Sequence, residues 1–126
     1  MREHYPWNRR HRRSTEVTEA LHHQLEACRQ EGALEAMLVA DEMGICMAYA
    51  GPREVCDEVA AELPMLAGQR EGYEWTASVI DAPVLVHSVM VDAMRLFVCA
   101  VGGRAHNSIV QLVTSLRGVE RILHTT

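Results

Sequence analysis

Ala33–Gly51, ALEAMLVADEMGICMAYAG, reads as one β-hairpin and places everything around it. Two apolar runs, Leu34–Ala40 and Ile45–Ala50, flank Asp41-Glu42-Met43-Gly44. Asp opening a turn and Gly closing it is type I turn chemistry: the carboxylate caps nearby backbone N–H groups, and Gly tolerates positive φ. One helical pattern precedes the hairpin, a second follows it, and a β-rich stretch leads to a last helix. The resulting order is α-β-β-α-β-β-β-α, an α+β arrangement.

Working outward, Val17, Leu21, Leu25 and Cys28 share a helical stripe, which predicts a first helix over about Thr15–Gln30. Ser14 is placed to N-cap it, and Gly32 lies just past its end. Downstream, Gly51-Pro52 opens a second helix whose Val55, Val59, Leu63 and Leu66 fall on one face. Pro64 should end or kink it near Leu63. Trp75–Ile80, Val84–Val91 and Arg95–Val101 read as strands, with Pro83 expected in a turn rather than a strand. Leu96–Val101 is apolar on both faces and should be central. Asn107 is a candidate N-cap for a final helix carrying Ile109, Leu112, Val113, Leu116, Val119 and Leu123.

The chain has 126 residues, enough for a single core, and its 48% hydrophobic content with only 5% aromatic makes that core aliphatic. All 12 basic residues are Arg. Residues 1–13 hold five Arg (Arg2, Arg9, Arg10, Arg12, Arg13) against Glu3, or +4, so a total of −5 leaves −9 on the rest. The division expected is a basic, unstructured arm over 1–13 and one domain over 14–126. Arg9, Arg10, Arg12 and Arg13 of the arm suit an acidic partner, a nucleic acid or an anionic membrane surface. There is no secretory pattern and no apolar run of the ~20 residues a membrane span needs. Cys28, Cys46, Cys56 and Cys99 form no CxxC pair, and the natural reading is free thiols in a reducing cytoplasm, without metal.

The hairpin, the helix REVCDEVAAELPML, the strand RLFVCAVG and the closing helix ending GVERIL resemble a roadblock domain, the family of dynein light chains and bacterial small-GTPase regulators. The likeness covers about Thr15–Leu123 and is specific in element order and in its strand–Asp-x-x-Gly–strand signature. It implies a roadblock/profilin-like, five-stranded antiparallel sheet with helices on both faces. It also implies a homodimer joined through third strands and second helices, here Val55, Val59, Leu63 and Leu66 with Trp75, Ala77 and Val79. Members of this kind act as non-catalytic adaptors on a Ras-like GTPase or another signalling protein, without a cofactor. Arg53, Asp57, Glu58 and Glu62 would then be the partner-binding ridge. Pro64 and the Arg-rich arm depart from the family pattern.

Chemistry-bearing combinations are few. His22 and Glu26 stand at i, i+4, as two metal ligands would, but lack a third. Cys99 with His87 or His106 imitates a Cys–His nucleophile pair, although an apolar strand suppresses thiol reactivity. Gly102-Gly103-Arg104 before a helix resembles an anion-binding nest without any Walker or dinucleotide motif. Arg53 or Arg104 could serve as an arginine finger only by entering a partner's nucleotide site. The leading reading is a dimeric, non-enzymatic GTPase adaptor, and the second is a nucleic-acid or anionic-surface binder using the arm.

Overall fold

The computed structural model describes the backbone of residues 6–66, 74–77, 82–103 and 105–124, and the side chains of 15–64, 82–103 and 109–123. Three helices, α1 (Pro6–Gly32), α2 (Arg53–Glu62) and α3 (Ala105–His124), surround strands β1 (Ala36–Asp41), β2 (Cys46–Ala50), β3 (Glu74–Ala77), β4 (Ala82–Val91) and β5 (Met94–Val101). All pairings are antiparallel, in the spatial order β2-β1-β5-β4-β3, so the apolar segment Leu96–Val101 does lie centrally.

The expectation of five full strands needs correction. Four strands, β2-β1-β5-β4, carry the described core of the sheet, and the described part of the stretch read as Trp75–Ile80 is a short edge pairing, Glu74–Ala77, held from one side. Pro83 also falls within β4 rather than in the turn, opposite Thr76 of β3. A missing N–H is tolerated so near a strand's start, and the Pro83 carbonyl still accepts a 2.8 Å bond from the Gly102 amide.

Two further boundaries differ. Ser14 and Asn107 sit inside α1 and α3 instead of capping them, because both helices begin earlier, at Pro6 and Ala105. Residues 6–13 therefore continue α1 and are not unstructured. Arg is a good helix former, and lengthening an existing helix avoids the cost of nucleation.

Strand alternation divides the core into two layers. On one face α1 and α3 pack over Met37, Val39, Ala48, Val89, Leu96, Val98 and Ala100, contributing Leu21, Leu25, Cys28, Leu112 and Val119. On the other, Val55, Cys56, Val59, Ala60 and Leu63 lie with Leu38, Ala40, Val84, Val86, Cys99 and Val101. α1 and α3 run antiparallel, Gly32 beside Gln111 and Gly118 beside Gln24. α2 ends at Glu62 and tightens into a 3₁₀ turn over Leu63–Leu66, where Pro64 interrupts the helical bonding.

Candidate protein-interaction surface around the second helix

The hairpin turn holds the end of α2 in place. Asp41 Oδ1 accepts from the Met43 amide at 2.9 Å and the Ile45 amide at 3.0 Å, while the Gly44 amide donates to the Asp41 carbonyl at 3.1 Å. Gly44 has φ +85°, and a Cβ there would stand 3.0 Å from Pro64 Cγ and 3.1 Å from the Ala60 carbonyl oxygen. The Asp-x-x-Gly signature thus serves two ends at once: it closes the turn and lets the α2 terminus approach it.

At its other end α2 starts without a side-chain cap. Pro52 is the N-cap residue, with φ −63° and ψ 123°, and its carbonyl accepts the Cys56 amide at 3.2 Å. Arg53 bridges two elements. Its guanidinium sits 5.5 Å from the Tyr49 ring centre and its Nε is 3.5 Å from Asp57 Oδ2. Both charged side chains are mostly exposed, so solvent screens this ion pair heavily. Tyr49 is held from behind: the His22 ring meets it edge-on at 4.9 Å, and His22 Nδ1 lies 2.7 Å from the Tyr49 carbonyl oxygen.

The anticipated ridge residues divide by exposure. Arg53, Asp57 and Glu58 are exposed, with Glu54 beside them, whereas Glu62 is half-buried. Of the anticipated dimer residues, Val55, Val59 and Leu63 are 7%, 0% and 2% exposed against the chain's own sheet, which leaves them little surface for a partner. The side chains of Leu66, Trp75 and Ala77 lie outside the described residues, as does the whole of Val79. The backbones of Trp75 and Ala77 do stand on the outer strand β3.

The chemical alternatives come apart in the structure. Glu26 is engaged by Arg29 at 3.0 Å and Gln30 at 2.8 Å, and His22 by the Tyr49 backbone, so the two do not converge on a common point. Among the described residues no three potential ligands gather. His87 and Cys99 fall on opposite faces of the sheet, since His87 pairs with Val98 and Cys99 with Val86. His106 and Arg104 carry no described side chain. The Gly102 amide of the supposed nest donates to the Pro83 carbonyl.

All four cysteines are free. Burial, then the nearby Asp57 charge, pushes the Cys46 thiol up to about 11. Burial, followed by Cys46 and Asp57, pushes Cys56 up to about 12. Cys99 is fully buried and raised further still. Such thiols are poor nucleophiles at neutral pH. Around α2, among the described residues, the thiols are thus held protonated and the exposed charges are those of Arg53, Glu54, Asp57 and Glu58.

Among the described residues no helix is long and apolar enough to cross a membrane. No known family profile matches this sequence, and no curated protein matches it. The fold does match solved structures. A Myxococcus xanthus MglB structure is 9% identical, with a TM-score of 0.61, over 86% of this chain and 90% of that one. A structure described as MglB with tetrameric arrangement is 14% identical, with a TM-score of 0.64, over 86% and 91%. The gliding protein MglB from Thermus thermophilus is also 14% identical, with a TM-score of 0.64, over 87% and 93%. The chain thus has the roadblock-type fold of MglB, over nearly the full length of both.

Proposed function

We propose that this chain is a bacterial, cytoplasmic, non-catalytic regulator that binds a small Ras-like GTPase as a homo-oligomer. The observation that carries the reading is the agreement of fold with MglB along nine-tenths of those chains. It joins the roadblock resemblance, whose members regulate small GTPases. One MglB structure is tetrameric, and the outer strand β3 here leaves backbone groups for a second copy to pair with. Arg53, Asp57 and Glu58 would form the charged rim that steers the GTPase, with Glu62 at its inner margin. Rim charges of this kind set association rate and specificity more than affinity.

Affinity purification of the intact chain, followed by mass spectrometry, tests the partner. The expected result is a P-loop GTPase whose rate of GTP hydrolysis or nucleotide exchange changes when the purified chain is added. Recovery of no GTPase, or of one whose kinetics ignore the chain, overturns the regulatory reading. Light scattering tests the assembly: a species of 14.1 kDa that persists at micromolar concentration overturns the oligomer.

A further inference from the structure

Seven large apolar side chains are exposed among the described residues, and four of them, Met43 (79%), Ile45 (60%), Met90 (54%) and Met94 (53%), gather at one end of the sheet. Strand register places them there. Asp41, where β1 ends, pairs with Leu96 near the start of β5, and Val91 pairs with Met94 across the next hairpin. The β1–β2 and β4–β5 turns are therefore neighbours, two strand spacings or about 10 Å apart. The second turn is tight, Asp92 and Ala93 having φ +50° and +67°.

The same end receives the start of α1. α3 runs back from Gly103 toward these turns, and α1 is antiparallel to it, with Gly32 beside Gln111 and Gln24 beside Gly118 and Arg121. Residues 6–16 carry α1 on past the end of α3 by about 16 Å at 1.5 Å per residue. That stretch of helix holds Arg9, Arg10, Arg12 and Arg13. Exposed Arg95, which pairs with Met90, adds a fifth positive charge. Glu16 on the extension and exposed Glu42 and Asp92 in the turns oppose them, while the Asp41 carboxylate is spent on its own turn.

We infer that this end of the domain docks on an anionic lipid surface, tilted so that the projecting basic helix lies along the headgroups while the two hairpin tips beside it reach the interface. Charge alone would suit a nucleic acid equally well. The four apolar tips decide between them, because a phosphate backbone gives exposed Met and Ile nothing to bury in, whereas the acyl boundary does. Basic and apolar signals acting together are what reversible membrane attachment requires.

Sedimentation of the full chain with vesicles tests this, using phosphatidylcholine alone and an equimolar mixture with phosphatidylserine. The chain should sediment with the mixture and not with phosphatidylcholine. Each Arg near such a surface is worth about fivefold, so changing Arg9, Arg10, Arg12 and Arg13 to Gln should cut partitioning by about two to three orders of magnitude. Changing Met43, Ile45, Met90 and Met94 to Ser should cut it by about tenfold or more, with circular dichroism unchanged. The single change Met94→Glu decides the same point should that variant fail to fold. Ile109, Val110 and Val113, the exposed apolar residues on the far half of α3, changed to Ser should leave sedimentation as it was. Failure to sediment with phosphatidylserine overturns the proposal. So does wild-type binding by the tip variants, an equal loss from the α3 variant, or binding to duplex DNA in place of vesicles.

Discussion

The two faces of the sheet are built to different standards of closure. α1 and α3 seal one face with Leu21, Leu25, Cys28, Leu112 and Val119, and a hydroxyl, Ser115 Oγ, is buried there 3.5 Å from Met37 Sδ. Among the described residues the other face carries one short helix, α2, resting on β1 and β2 and ending at Glu62. Along its β4–β5 half, cover thins toward the hairpin tips. Val84 and Val101 are 0% exposed, Ser88 and Phe97 are half-buried, and Met90 is 54% exposed. Among the described residues the two-helix face is the more completely sealed, and the one-helix face leaves its β4–β5 half more exposed toward the tips.

The largest effect should come from the sealed face. Leu25→Ala removes a side chain with 0% exposure and is expected to cost about 2–5 kcal/mol in urea denaturation. Val59→Ala, equally buried under α2, removes fewer atoms and should cost about 2 kcal/mol. Should the Val59 variant prove the more damaging of the two, the assignment of stability to the α1–α3 face is wrong.

Next in size is Gly118. Ala is ordinarily better than Gly in a helix by about 1 kcal/mol. Here a Cβ would press on the end of the flexible Gln24 side chain, which must swing away from Cys28 and Arg121, so the helical gain is offset and Gly118→Ala should change stability by no more than about 1 kcal/mol. A rise in melting temperature would show that α1 and α3 have room between them and that the seal is looser than their close approach implies.

The hairpin was readable in the sequence because Asp41 and Gly44 satisfy a turn locally, and β5 because a central strand needs apolar residues on both faces. The start of α1 was not, since Arg9–Arg13 carries no apolar period and its helicity is inherited from the packed turns that follow. Nor could the sequence say what Val55, Val59 and Leu63 touch, because an apolar helical stripe looks the same whether it meets its own sheet or a second subunit. The exposed tips were missed for a related reason. Met43, Ile45, Met90 and Met94 are four scattered residues until strand order brings their hairpins to one end of the sheet.

The thiols sharpen the contrast chemically. Cys46, Cys56 and Cys99 belong to the α2 layer, and all have thiols raised above the ordinary value of about 8.5. Because the folded value is the higher one, the unfolded chain ionises first. The stability these groups contribute is thus full below about pH 8.5 and lost as pH climbs through the folded values of about 11 for Cys46 and about 12 for Cys56. Denaturation midpoints should fall over that range, and alkylation of the native chain at about pH 8 should mark Cys46 first, Cys56 next and Cys99 last. Early labelling of Cys99 would mean that this face opens far more readily than its burial suggests.

The smallest structural effect, and the one aimed most directly at recognition, is charge reversal on α2. Asp57 and Glu58 are exposed, and Asp57 has only the screened pair with Arg53 to lose. Asp57→Arg with Glu58→Arg should therefore move stability by no more than about 0.5 kcal/mol. Partner binding should respond quite differently. If this ridge steers a GTPase, reversal should lower the association rate, with the greatest change at low salt and little change in dissociation. A rate that is indifferent to both the reversal and the salt would leave α2's charges as mere solubilisers of an amphipathic helix. Loss of capture on deleting residues 1–13, with the reversal silent, would move the partner's site from the one-helix face to the basic end of α1.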